Sequence, residues 1–440
     1  MPVNSASNLS ADPYPGKRII ALDIIRGIAI ISIVVLHRLH YNWSAAGPGQ
    51  TIGDSAASWV LFVLFYLITM AGIFALITGT VTSLRAYQRN AGGRSTPVQL
   101  LYGGLATGLW ILALHYIQRI FLANGFLEGR FPVGILLGWI RTGEAVPLAP
   151  NLYSDSNALS MIGSVVIFVT FVLFLVLRSR KPRDLKRDIR LYIVLGSLIL
   201  IATPIVRYEV GLYKNILTEN QDYFGLTLIN LLTGGYGIFP FLAYGFFGSA
   251  IGAALAGNVS RLILKRALLL SGLAFFLIGG AGFFIPGGWD FTNIFANTLT
   301  NQFHWILFRL NQLGFFLVLY WLFLSLVDFA ASGTKERVLR ICYPARVFGM
   351  MSLTVFICEP IMAELLKKLW DPLFPGWNDQ LVPVLLFGLL CLIIWWLLLL
   401  LWWKTARFAG SIEWMSAGVI RLLSGKKSTR FSLSFMKDSG

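Results

Sequence analysis

From residue 19 to residue 403 the chain alternates long apolar runs with short polar breaks. A helix needs about 20 apolar residues to cross a bilayer. Windows of that size place spans near 19–40, 58–80, 98–118, 158–177, 191–208, 236–257, 266–285, 302–328, 346–366 and 382–403. Ten spans with no gap large enough for a soluble domain predict an all-α polytopic membrane protein, a single transmembrane bundle over 18–408. Two further apolar stretches, "FPVGILLGWI" at 131–140 and "YFGLTLINLLTGGYG" at 223–237, are too short or too glycine-rich to cross. They read as re-entrant or interfacial segments. The opening "MPVNSASNLSADPYPG" is polar and lacks the apolar core of a cleavable signal, so 1–17 reads as a disordered tail and 409–440 as a basic one. No internal repeat stands out.

Composition supports the membrane reading: 56% of the 440 residues are hydrophobic and 13% charged, with a mean hydropathy of +0.71. A formal charge of +16 would suit a nucleic-acid binder, but the basic residues are dispersed among short loops, where topology explains them better than phosphate contacts. Assigning alternate connections to one side collects 26 Lys and Arg there and eight on the other, with Arg26 and Arg309 inside spans. The positive-inside rule then puts both termini in the cytoplasm. Trp43, Trp59, Trp289, Trp305, Trp370 and Trp377 fall near the outer ends of spans and read as an aromatic belt. Cys342, Cys358 and Cys391 form no disulfide or metal pattern, and no metal site is expected.

With that topology all four histidines, His37, His40, His115 and His304, lie toward the outer side, and Glu359 joins them in the outward half of the ninth span. Arg309 is a candidate partner for Glu359. A charge inside a bilayer costs at least about 2.5–3.5 kcal/mol on insertion scales, so such residues face a protein interior or a watery cavity. The run "RIIALDIIRGIAIISIVVLHRLH" at 18–40 is otherwise fit to cross a bilayer but carries an Asp, an Arg and two His, Asp23, Arg26, His37 and His40. Arg26 and His37, eleven residues apart, fall within about 20° of one face and about 16 Å apart along the axis. Asp23, three residues before Arg26, is its natural intrahelical partner. One reading is orientation of the span by charges at its inner end; the other is a polar path from a charged inner end to an imidazole near the outer surface. Histidine is the side chain best suited to move a proton at neutral pH. No Walker loop, H-E-x-x-H or G-x-S-x-G motif offers another apparatus.

"R-I-I-A-L-D-I-I-R-G-I-A", with a His fourteen residues after the Asp, resembles the first helix of the transmembrane acyltransferases. Arg18, Leu22, Asp23, Arg26 and His37 resemble the acyltransferase-3 branch, and the Arg26-Gly27 pair the heparan-glucosaminide acetyltransferase-like branch. "SNALSMIG", "IFPFLAYGFFGSAIG", "MSLTVFICEP" and "AGSIEWM" lean toward the second. The resemblance implies an enzyme that takes an acyl group from cytoplasmic acyl-CoA, acetyl-CoA above all, and delivers it to a hydroxyl or amine of an extracytoplasmic glycan or similar acceptor. It implies His37 as the catalytic base, although the second branch uses a His farther into the outer loop, where this chain has Pro48. The choice between His37 and His40 stays open. "R-A-Y-Q-R" at 85–89 resembles an arginine element of the first branch, and Arg85, Arg89 and Arg94, with Arg26 deeper in, would hold the coenzyme's phosphates. Asp23 and Glu359 complete the expected site.

A proton-coupled secondary transporter is the rival class, since intramembrane Asp, Arg, Glu and His also build proton relays. A non-catalytic membrane scaffold is a third. The acceptor, the acyl length and the oligomeric state, including a homo-oligomer, are not written in the sequence. The longest outer segment, 119–157, is the expected lid or acceptor site.

Overall fold

An apolar segment away from water must bond its own backbone, and helix is the local way to do so. The computed structural model describes residues 18–43, 66, 69–125, 132–149, 151–179, 184–285 and 297–423, and they contain helices and no strand. In chain order the helices are α1 (Ile20–Asn42), α2 (Gly72–Ala91), α3 (Pro97–Leu122), α4 (Ile135–Thr142), α5 (Asn151–Ser154) and α6 (Ala158–Ser179). There follow α7 (Leu185–Glu219), α8 (Tyr223–Thr233), α9 (Ile238–Ala256), α10 (Arg261–Ala281) and α11 (Leu299–Phe323). The last are α12 (Ser332–Ile341), α13 (Tyr343–Met350), α14 (Ser352–Leu373), α15 (Leu381–Ala406) and α16 (Ile412–Leu423).

Eight of these, α1, α3, α6, α7, α9, α10, α11 and α15, are long and apolar enough to cross a bilayer, and each matches an expected span. The expected span at 346–366 is instead a pair, α13 and α14, meeting at 87°. Most of the first half of the span expected at 58–80 lies outside the described residues; its second half becomes the start of α2. The two short apolar stretches form α4 and α8, of 8 and 11 residues, too short to cross as straight helices. The peripheral helices turn apolar residues outward, as Ile193, Leu198 and Ile201 on α7, Leu270 and Leu277 on α10, and Leu386 and Leu397 on α15 show. So extended an apolar surface is what a lipid-facing bundle presents.

At the centre runs α9, buried over 94% of its apolar window and packed on α2, α6 and α7. Small residues let it come so close: a Cβ added to Gly248 would lie 2.1 Å from the Leu76 carbonyl oxygen, and one on Gly252 2.3 Å from that of Thr80. The crossing of α1 and α13 is equally tight, with Gly27 against the Ala345 carbonyl and Gly349 against that of Asp23.

Two helix starts borrow their caps from distant chain. Ile19 gives α1 no side-chain cap, and the backbone N–H groups of Ile20 and Ala21 donate to Asp328, at 3.1 and 2.9 Å. Asp328 reaches them from the π-helical turn Leu324–Asp328 that ends α11. Likewise α14 has no cap of its own. Glu413 of α16 accepts from the N–H groups of Leu353 (2.7 Å) and Thr354 (3.1 Å) and from the Thr354 hydroxyl. The segment expected to be a basic tail thus begins with a docked helix.

Three corrections concern polar and aromatic residues. Trp43, Trp305 and Trp377 are buried inside the bundle, not displayed as a belt; Trp59 and Trp289 lie outside the described residues. The helix α7 is far longer than its apolar run, because the polar "LKRD" and "YEVGLYKNILTE" that flank it carry no proline and only one glycine, Gly211. Asp23 pairs with Arg18, not Arg26: Arg18 Nε lies 2.5 Å and Nη2 3.0 Å from its carboxylate.

Candidate active site

The chemistry-bearing residues gather at the two ends of α1. At the Arg18 end, Arg26 sits half-buried with no hydrogen bond or ion pair to any of the described residues, since Arg18 has taken Asp23. Within its electrostatic reach is Arg85 of α2, which also feels Arg89, Arg18 and Asp23. On a helix Arg85 and Arg89 are one turn apart and share a face, whereas Tyr87 points about 200° away. Tyr87 is buried and donates to Asp188 of α7 at 2.9 Å, with the Tyr192 hydroxyl 3.1 Å off. That anchor turns the exposed Arg85 and Arg89 toward the α1 side. Arg94 stands apart, exposed in the turn before α3, its N–H bonded to the Arg89 carbonyl at 2.9 Å.

At the other end of α1, His37 meets Glu359 of α14 across 322 residues of sequence, Nδ1 to Oε2 at 3.3 Å. An ionised carboxylate only accepts, so Nδ1 carries the proton and Nε2 is the basic nitrogen. Glu359 is 1% exposed and is held from three sides. Arg38 Nη2 lies 2.5 Å from Oε1, and Asn124 Nδ2 donates to Oε2 at 3.5 Å. A guanidinium against a desolvated carboxylate keeps the carboxylate's charge paired where water cannot. The His37 side chain keeps 23% of its surface exposed, so the buried acid is joined to an accessible base. Phe356, one turn before Pro360 on α14, lies 6.4 Å from the imidazole ring.

Between the two ends lies an apolar cleft lined by Ile30, Phe74, Leu159, Leu353 and Phe356. Ile30 is one turn from Arg26, and Phe356 is beside His37. On α1 the cleft is lined by Ile30, between Arg26 and His37 in the sequence.

No protein-family model matches this chain, and no curated protein is similar to it. The site is read from its geometry.

His40 packs its ring 4.6 Å from Tyr41, which in turn lies 5.7 Å from His37, so it belongs to the same corner without touching Glu359. His115 has another task. Its Nδ1 donates to Asn157 Oδ1 at 2.8 Å, and that oxygen also caps α6 by accepting from Leu159 and Ser160. Arg119 pairs with Asp155 at 2.8 Å beside it. His304 is buried on α11 and bonds to neither group among the described residues. Arg309, the expected partner of Glu359, instead donates to Gln312 at 2.9 Å. The partner sequence reasoning missed is Arg38, which the charge count had assigned to an outer loop and which is 2% exposed. Its signal was present: Arg38 follows His37 directly and ends an apolar run. In the expected lid, Arg141 forms a bidentate pair with Glu364 at 3.1 and 2.9 Å and also donates to the Gly125 carbonyl. Residues 126–131 and 150 of that segment lie outside the described residues. Among the described residues no His, Cys, Asp and Glu group could hold a metal ion.

Proposed function

We propose that this chain is an integral membrane acyltransferase that moves an acyl group from cytoplasmic acyl-CoA to a hydroxyl or amine on the far side. The observation that carries the reading is the His37–Glu359 dyad, which stands on the same helix, α1, as Arg26, an arginine with no ion pair among the described residues. The excess of basic residues on the Arg18 side supports a cytoplasmic position for that end and for both termini. The resemblance of the first helix to the transmembrane acyltransferases supports the same direction of transfer.

Arg85 and Arg89, exposed on one face, with Arg26 deeper in, are the residues that would bind the phosphates of the coenzyme. An acyl thioester supplies an electrophilic carbonyl and a thiolate leaving group. His37 Nε2 takes the proton of the acceptor as its oxygen or nitrogen bonds to the carbonyl, and returns that proton to the departing sulfur. Glu359 holds the ring by Nδ1–H and stabilises the imidazolium that forms between the two transfers. Arg38 and Asn124 position Glu359.

The test is transfer from radiolabelled acetyl-CoA to a panel of glycans by the purified protein, with coenzyme binding measured in parallel. His37→Ala is expected to lose transfer by about 10²–10⁴-fold and to retain coenzyme binding. Full activity in that variant would move the base to His40. If the wild-type protein neither binds coenzyme nor transfers any acyl chain, the reading fails.

A further inference from the structure

A second cationic group lies inside the bundle, away from α1. Arg309 of α11 is 5% exposed, donates to Gln312 Oε1 at 2.9 Å, and has a buried Nε with no hydrogen-bond partner. Its guanidinium carbon lies 4.8 Å from the centre of the Trp305 ring, 5.1 Å from that of Phe241 and 5.6 Å from that of Phe308. Arg207 of α7 approaches the same Trp305 ring, at 3.8 Å. Its hydrogen bonds go to neutral acceptors, Gln302 Oε1 at 2.9 Å and the carbonyls of Thr233 and Gly234.

The two guanidinium groups repel each other across one indole, and no carboxylate among the described residues pairs with either. Ring faces attract cations, but more weakly than a desolvated guanidinium loses on leaving water. Arg309 keeps unspent donors in a planar fork, the geometry that receives two oxygens of one anion. The turn between α8 and α9, where Arg207 fixes the Thr233 and Gly234 carbonyls, places Tyr236 within electrostatic reach of both Arg309 and Asp155.

The geometry points to a buried oxyanion site in which Arg309 and Arg207 receive a phosphate or carboxylate group at the rim of Trp305, supplied by a small solute or by a lipid headgroup. The site stands apart from the acyltransferase reading, because none of its residues touches His37 or Glu359 among the described contacts. The test uses the full chain in neutral detergent with chloride as the only other anion. Its melting temperature is followed against inorganic phosphate and against acetate at constant ionic strength. A second arm compares nanodiscs of phosphatidylcholine alone with nanodiscs that also contain phosphatidylglycerol. At least one probe is expected to raise the melting temperature saturably in the wild type and equally in His37→Ala. Arg309→Gln removes the rise, and Arg309→Lys, which keeps the charge but not the fork, shifts the half-maximal concentration up by about tenfold or more. A response to phosphate or acetate identifies a solute site, and a response to phosphatidylglycerol alone a lipid site. An equal rise in wild type and Arg309→Gln overturns the proposal, as does the lack of any rise with phosphate, acetate and phosphatidylglycerol.

Discussion

Glu359 shows how a single carboxylate can be both a cost and a device. At 1% exposure it loses its hydration, and among the described residues Arg38, His37 and Asn124 compensate. Removing one partner of such a pair leaves the other charge buried alone, which costs about 3–5 kcal/mol, whereas replacing both by neutral groups costs much less. Arg38→Met is therefore expected to lower stability strongly, and Arg38→Met with Glu359→Gln to recover most of the loss. Thermal unfolding of the four members of this cycle in one detergent measures the coupling; additive losses would contradict the pairing. Local spacing named Glu359 and His37 but chose the wrong cation, because helical periodicity says which residues share a face of one helix and nothing about which helix stands opposite. The Asp23 error has a nearer cause. Arg18 precedes the first turn of α1, where the extended backbone lets its long side chain fold back onto Asp23 before Arg26 can reach it.

Between elements, glycine decides how close two helices come. In a free helix Gly→Ala stabilises by up to about 1 kcal/mol. Gly418 of α16 has nothing within 4 Å of an added Cβ, so Gly418→Ala is expected to follow that rule. Gly349→Ala is expected to do the opposite, destabilising by about 1–3 kcal/mol, since its Cβ would lie 1.8 Å from the Asp23 carbonyl oxygen. Opposite signs in a melting assay check both. The docking of α16 has its own signature. Burial raises the Glu413 carboxyl above its ordinary value of 4.5, although Thr354 and Leu353 hydrogen bonds pull the other way. A raised carboxyl favours the protonated form when docked, so the stabilisation is complete below about pH 4.5 and fades as pH rises through the elevated value. Amide protection factors over 412–423, taken relative to the unstructured rate at each pH, should fall across that interval in the wild type, and Glu413→Gln should flatten the dependence.

For the molecule as a whole, charge asymmetry predicts an orientation: a fluorescent protein fused after residue 440 should fluoresce in the cytoplasm, and an alkaline phosphatase fused there should stay inactive. Activity of the phosphatase would reverse the inner and outer assignments together. The eight long helices were legible because a run of apolar residues long enough to cross is a statement about one segment. The 87° bend at Met351 was not, since "VFGMMSLTVF" is apolar but for Ser352 and Thr354, holds no proline, and the helix start after the bend is capped from distant chain by Glu413. Nor were Trp305 and Trp43 legible as core, because an aromatic residue near the end of a span satisfies an interface and an interior equally well by composition.

Asp328 and Glu413 also impose an order of assembly. The helix carrying His37 is made first, yet the acceptor for its leading N–H groups is 308 and 307 residues downstream; the helix carrying Glu359 waits for a carboxylate 60 and 59 residues later. Neither half of the dyad stands on a finished helix until the downstream carboxylate that caps it has been made, Asp328 for the imidazole and Glu413 for the acid. A nascent or truncated bundle that lacks them therefore holds its imidazole and its acid on frayed starts.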